Sequence, residues 1–160
     1  RHPTEFFDPL PRAAMIDVPS AVDSPRPERC GVVAVVLRDS HFLVIRRSVH
    51  VVAPRAYCFP GGAIEAGESE REALEREIRE ELGAAVRPLR RVWRSVTPWG
   101  VPLAWWLSEL DSGQPITLNL QEVESLHWLT ADQMLGLAQL LESNLAFLDA
   151  LAAGEIDLTV

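Results

Sequence analysis

GAIEAGESEREALEREIREELGA, residues Gly62 to Ala84, is the most informative stretch of the chain. Within it, Ser69-Glu70-Arg71-Glu72 has the form of a capping box, a serine that opens a helix with a glutamate three residues on. The helix should run to about Leu82, where Gly83 stops it. With Glu77 as origin and ~100° per residue, Glu80 falls at about −60° and Glu81 at about +40°, so three carboxylates share one arc of surface. Leu74, Ile78 and Leu82 form the adjacent apolar stripe, and small Ala73 leaves space beside the acids. Carboxylates this close repel one another, and a hard divalent cation is the natural counterion. Arg76 stands four residues from both Glu72 and Glu80 and can brace the cluster.

Around this helix the periodicities read as a mixed sheet with helices on its faces, an α/β protein. Gly31 to Arg38 is a β-branched apolar run, read as a buried strand. His41 to Arg47 returns after a turn at Asp39-Ser40. Tyr57 to Gly62 should be tight, irregular backbone. Val86 to Val96 and Val101 to Leu110 read as strands joined at Thr97-Pro98-Trp99-Gly100. Ser125 to Leu129 reads as a short strand. Thr130 to Gln133 is a second capping box, expected to open a helix to about Glu142. A last helix should run from about Asn144 to Gly154.

Three glutamates on a helix are often only a solvated face; the rest of the segment argues otherwise. Gly62, five residues, Glu68, seven residues, Arg76-Glu77, Ile78, any residue, Glu80-Glu81, any residue, Gly83 and an apolar position resembles the complete Nudix box. Seven identities at about 7% background each match by chance at one place on the order of 10⁻⁸. Phe59-Pro60-Gly61 before the box is also typical. Ala84 departs from the pattern, where the family prefers a larger aliphatic residue.

The resemblance implies an α/β/α sandwich and a metal-dependent hydrolase that cleaves a diphosphate linkage in a nucleoside diphosphate joined to another moiety. Nucleoside triphosphates, ADP-ribose or sugar nucleotides, and dinucleoside polyphosphates are all covered by it. It implies Mg2+ as cofactor, with Mn2+ as a substitute, held by Glu77 and Glu81, with Glu80 a frequent third participant and the Gly61 carbonyl completing the shell. Gly62, Glu68, Arg76 and Gly83 would support the loop and helix. Glu81 or Glu80 could serve as catalytic base. So could Glu122, six residues before Trp128, by similarity to relatives with a base outside the box; Glu124 is a weaker substitute. The alternative is a non-catalytic nucleotide-sensing or scaffold domain of the same family, but such proteins usually lose box glutamates that this chain keeps.

For the substrate, Arg46 and Arg47 end a strand that leads toward the box and point to opposite faces, so one could clamp a phosphate. Tyr57, Arg55 and Trp106 are further candidates; of Trp105 and Trp106, one should enter the core and the other could stack on a base or pack at an interface. Cys58 reads as packing.

The 160 residues suit one domain with its own core. Half of the 12 prolines precede residue 28, so residues 1–28 read as an extended arm that docks on the domain, residues 29–160, or on a second copy in a homodimer. A net charge of −8 argues against duplex nucleic acid or an anionic membrane as partner and leaves room for a small nucleotide met by a cation. The two cysteines match no metal-ligand spacing, and the expectation is a reducing, cytoplasmic setting.

Overall fold

The run GVVAVVLR forms β1 (Gly31–Arg38), whose first six residues are all buried, as a strand covered on both faces requires. The computed structural model describes residues 29–160; the expected arm, residues 1–28, lies outside the described residues. After β1 the chain turns at Asp39 and Ser40, both at positive φ (51° and 62°). This turn conformation suits the twist of a tight hairpin and returns the chain as β2 (His41–Arg47). Then follow β3 (Tyr57–Cys58), β4 (Gly61–Ala63), α1 (Glu70–Leu82), β5 (Val86–Val96), β6 (Pro102–Leu110), β7 (Val123–Leu129), α2 (Ala131–Leu135) and α3 (Glu142–Ala152).

β1 is shared between neighbours. Gly31 to Val33 pair antiparallel with β4, Leu37 and Arg38 pair antiparallel with β2, and Gly31 to Val36 run parallel to β6. β5 lies outside β6, while β3 and β7 flank β2. The sheet is mixed, as the sequence pattern implied.

Adjacent tryptophans on β6 identify the two layers of helix. Successive side chains of a strand point to opposite faces. Trp105 stacks on Phe147 of α3, ring centroids 4.9 Å apart, within an aromatic core that includes Phe59 and Trp93. Trp106 meets Arg71 and Glu70, in the first turn of α1. Helices α1 and α3 therefore cover opposite faces, and the fold is the expected α/β/α sandwich.

Tyr57 to Gly62, expected as irregular backbone, supplies β3 and most of β4 because it pairs with β2 and β1, and several boundaries differ from expectation. The helix opened by Thr130 ends at Leu135 instead of about Glu142. Beyond Gly136 the backbone bonds to β3: Tyr57 N donates to Gln139 O (2.8 Å) and Leu141 N to Tyr57 O (3.0 Å). Tertiary pairing has overridden an apolar helical pattern. α3 begins at Glu142 and not near Asn144. β7 starts at Val123 and not Ser125 because a bulge at Glu124 lets Val123 pair with Arg47.

At Gly61 the packing leaves no room for a side chain: a Cβ there would lie 2.1 Å from the Val32 carbonyl oxygen. Gly61→Ala should therefore cost more than about 3 kcal/mol, beyond ordinary overpacking because backbone must move. Chemical denaturation of the two proteins checks this, and a loss under 1 kcal/mol would contradict the close approach.

Candidate active site

Helix α1 starts and stops as its sequence dictates. Ser69 Oγ accepts from Glu72 N (3.1 Å), and Glu72 Oε1 accepts from Ser69 N (2.9 Å). Gly83 ends the helix at φ 61° and donates to Arg79 O. A side chain at Gly83 would meet strain at that φ and the Thr117 carbonyl at 3.0 Å. Ala73, Leu74, Ile78 and Leu82 are fully buried. The helix is thereby pressed onto the sheet along a line that takes Glu77 and Glu81 inside with it.

Both glutamates are 0% exposed. Glu81 Oε1 accepts from Gly61 N (3.0 Å), so the glycine before the box touches the acid at its far end. Glu77 Oε1 accepts from Arg76 Nη1 (2.8 Å). The second oxygen of each, Oε2, is buried without a hydrogen-bond partner. Buried carboxylate oxygens are rarely left so.

Arg76 anchors the acids. Its Nε and Nη2 donate to the two Glu68 oxygens (2.6 and 2.8 Å), its Nη1 reaches Glu80 (3.2 Å) as well as Glu77, and Nη2 donates to Ala63 O (2.9 Å). Glu72 is engaged in the cap, so of the two expected i,i+4 pairs only Arg76–Glu80 forms. The Arg76 hydrogen bond holds Glu68 below the usual carboxylate range.

Burial pushes the Glu77 carboxyl up to about 9 against the opposing pull of Arg76, with the charges of Glu80 and Glu122 adding to the rise. Glu81 is also held well above the usual range, first by burial, then by Glu77 and Glu122, with Arg47 opposing. The charges of Glu80, Glu122 and Arg47 thus act on the buried pair. Glu122 is itself buried; its Oε1 accepts from Asn119 Nδ2 (3.0 Å), and Asn119 N donates to Glu81 O (2.9 Å). Asn119 thus ties the loop carrying Glu122 to the end of α1. Sequence reasoning missed it; its one signal was a side chain of turn-forming type three residues before a candidate base.

Glu124 lies outside this group, paired with Arg55 (3.3 Å) and Arg46 (3.7 Å). Arg46 sits over the Tyr57 ring (4.9 Å) and donates to Arg55 O and Gln139 Oε1. Arg47 is 0% exposed and its Nε donates to Val52 O (2.8 Å). It is an internal cation whose charge favours ionised Glu81, and its burial removes it from the role of phosphate clamp reached from solvent. Trp106 is covered by Arg71 and bonds Glu70 through Nε1 (2.8 Å); with 9% exposure it offers no stacking face to a base. Cys58 is buried packing. Ala84 is 1% exposed, so the small residue fills the apolar position that ends the box.

Among the described residues no three acidic, histidine or cysteine side chains already converge as a metal cage. Yet the donor set fits a hard cation. Two buried carboxylates carry unpartnered oxygens, and Glu80 shares the Arg76 Nη1 donor with Glu77 beside them.

The NUDIX domain model matches residues 28–151. The chain belongs to the Nudix family. It is 29% identical to the NAD-capped RNA hydrolase NudC of Haemophilus influenzae (strain PittEE) over 114 residues, which are 68% of this chain and 42% of that protein. The chain thus spans less than half the length of the curated relatives it matches. Among solved structures, the MutT protein from Methanosarcina mazei Go1 aligns with a TM-score of 0.66 at 20% identity, over 82% of this chain and 98% of that one. A UDP-X diphosphatase aligns with a TM-score of 0.63 at 21% identity, over 91% of this chain and 73% of that one. These two likenesses establish the Nudix fold.

A carboxyl whose pKa is raised on folding binds protons more tightly in the native state. Stability from Glu77 is therefore full below its ordinary value of 4.5 and is lost as pH rises toward about 9. With chelator present, the melting temperature should fall between pH 5 and 9, and less steeply in Glu77→Gln. Parallel pH profiles for the two proteins would remove the buried acid as the cause.

Proposed function

We propose that the protein is a divalent-metal-dependent pyrophosphohydrolase acting on a small nucleotide-like diphosphate. The observation that carries this is the buried pair Glu77 and Glu81, each with one unpartnered oxygen, beneath an intact Nudix box. Burying two like charges is costly without a counterion, and a magnesium ion, with manganese as substitute, fits the demand. Glu77, Glu81 and Glu80 would hold it, with the Gly61 carbonyl. When bound, the ion neutralises phosphate charge and favours ionisation of water.

The protein's own groups do the rest. Arg76 keeps Glu77 and Glu80 on one side of α1, and Gly61 N fixes Glu81. Glu122 approaches the pair from another element, which suits it to receive a proton. As the water oxygen bonds to phosphorus, the bridging P–O bond breaks, the proton passes to Glu122, and two phosphate products leave. Arg46, beside Tyr57 at the surface, is the arginine still placed to meet a phosphate. Duplex nucleic acid and membrane are not part of this reading: the net charge is −8, and no helix among the described residues is long and apolar enough to cross a membrane. Two cysteines that match no metal-ligand spacing suit a reducing, cytoplasmic setting. Retention of every box glutamate favours catalysis over a purely sensing role.

Two substitutions separate the roles. Glu81→Gln should lower turnover by about 100-fold or more and abolish the rise in melting temperature on adding millimolar magnesium. Glu122→Gln should lower kcat by roughly 10²- to 10⁴-fold while keeping that rise. Differential scanning fluorimetry and product chromatography read both. Wild-type turnover in Glu81→Gln at saturating magnesium would overturn the assignment.

A further inference from the structure

The loop between β6 and β7 is held to the rest of the chain on two sides, and Glu122 stands in the stretch so held. On one side Thr117 N and Asn119 N donate to the carbonyls of Leu82 and Glu81 at the end of α1 (2.8 and 2.9 Å). On the other is Ser48, just past the end of β2 and 3% exposed. Its N donates to Glu122 O (2.9 Å) and its Oγ to Gln121 O (2.7 Å). Ser48 Oγ also accepts from His50 N (3.1 Å), which fixes the hydroxyl. Between these anchors the backbone closes into a turn, with Glu122 N and Val123 N both donating to Asn119 O (2.9 and 2.8 Å).

A fixed backbone does not by itself aim a side chain, and glutamate has several rotatable bonds. The direction of the Glu122 carboxylate comes from Asn119. Asn119 Oδ1 accepts from Gln121 N (3.2 Å), the closure onto the backbone two residues on that asparagine favours. A backbone N–H only donates, so this contact selects the amide oxygen and fixes the amide plane. The other end of the same amide, Nδ2, is thereby presented to Glu122 Oε1, to which it donates (3.0 Å). One end of the side chain reads the turn and the other aims the acid. Asn119 thus bonds both the backbone of Glu81 and the side chain of Glu122.

We propose that Asn119 is a positioning residue, whose side-chain amide holds the Glu122 carboxylate in the direction from which it takes the proton of the attacking water. The inference rests on the reading of Glu122 as the base of a diphosphate hydrolase. The role is distinct from support of the fold, because Ser48 and the backbone of Asn119 hold the turn without the amide.

A double-mutant cycle on kcat tests this, run in magnesium with whichever of ATP, ADP-ribose, UDP-glucose and diadenosine tetraphosphate the parent cleaves fastest. Asn119→Ala should lower kcat about 10- to 100-fold, the cost of a misaimed group, and leave KM within about twofold. Asn119→Asp keeps an acceptor for Gln121 N but replaces the donor with a like charge. It should lose at least as much, and it carries the test if the alanine variant does not fold. Both should keep the rise in melting temperature on adding magnesium. In the Glu122→Gln background, Asn119→Ala should have less than about twofold further effect, because groups that act as a unit are not additive. Equal losses in the two backgrounds would make Asn119 a support of the fold alone, and parental kcat in Asn119→Asp would show that Glu122 needs no aiming. Either overturns the proposal and leaves the hydrolase reading standing. Parental kcat in Glu122→Gln removes Glu122 as the base, and the proposal falls with it. A parent that cleaves none of these substrates overturns the hydrolase reading itself, and the proposal with it.

Discussion

The guanidinium of Arg76 is the point from which the site is built. It reaches Glu68 with two hydrogen bonds, Glu77 and Glu80 with one each, and the Ala63 carbonyl with another. A planar fork with five fixed donors can do this; a lysine ammonium could not. The loop before the helix, the helix itself and strand β4 are thereby locked to one cation. The lock matters because the helix brings two carboxylates into the interior, and an uncompensated buried charge is among the most destabilising features a fold can carry. Raised affinity for protons at Glu77 and Glu81 is the protein's answer when no cation is present.

The backbone around Gly61 and the loop through Asn119 complete this arrangement from outside the helix. Gly61 must approach β1 closely, and the same approach brings its N–H to Glu81. Asn119 and Thr117 donate backbone N–H groups to the carbonyls of Glu81 and Leu82. Those carbonyls belong to the last turn, which has no partners within the helix. The segment that satisfies them is the one that delivers Glu122. Capping and placement of an acid are one structural act.

Much of this was legible in the sequence because local signals agreed with one another. The capping box, the carboxylate arc, the apolar stripe and Gly83 all specify the same helix, and the β-branched run of β1 reads without ambiguity. Glu77, Glu80, Glu81 and Glu122 were identified as candidates, and they lie together. What could not be read depends on distant pairing. The apolar segment 136–141 is helical in pattern, but the backbone of β3 claims it. Which of Arg46 and Arg47 faces outward depended on which face of β2 the rest of the chain covers. Trp106 points to the face opposite Trp105 as strand alternation required, and the first turn of α1 buries it there. Asn119 is a side chain whose role exists only once two elements separated in sequence have met.

The parallel pairing of β1 with β6 has a consequence for how the chain acquires its shape during synthesis. Gly31 to Val36, most of β1, have register partners on β6. That strand ends at Leu110, 28 residues beyond the end of the acidic helix. Contacts between segments so far apart in the chain form late, because closing the intervening loop costs entropy before any contact rewards it. The contacts that hold α1 to β4, from Arg76 to Ala63 O and from Gly61 N to Glu81, join segments close in the chain and need no part of β6. Trp106 of β6, bonded to Glu70, then covers the first turn of that helix from a strand made later.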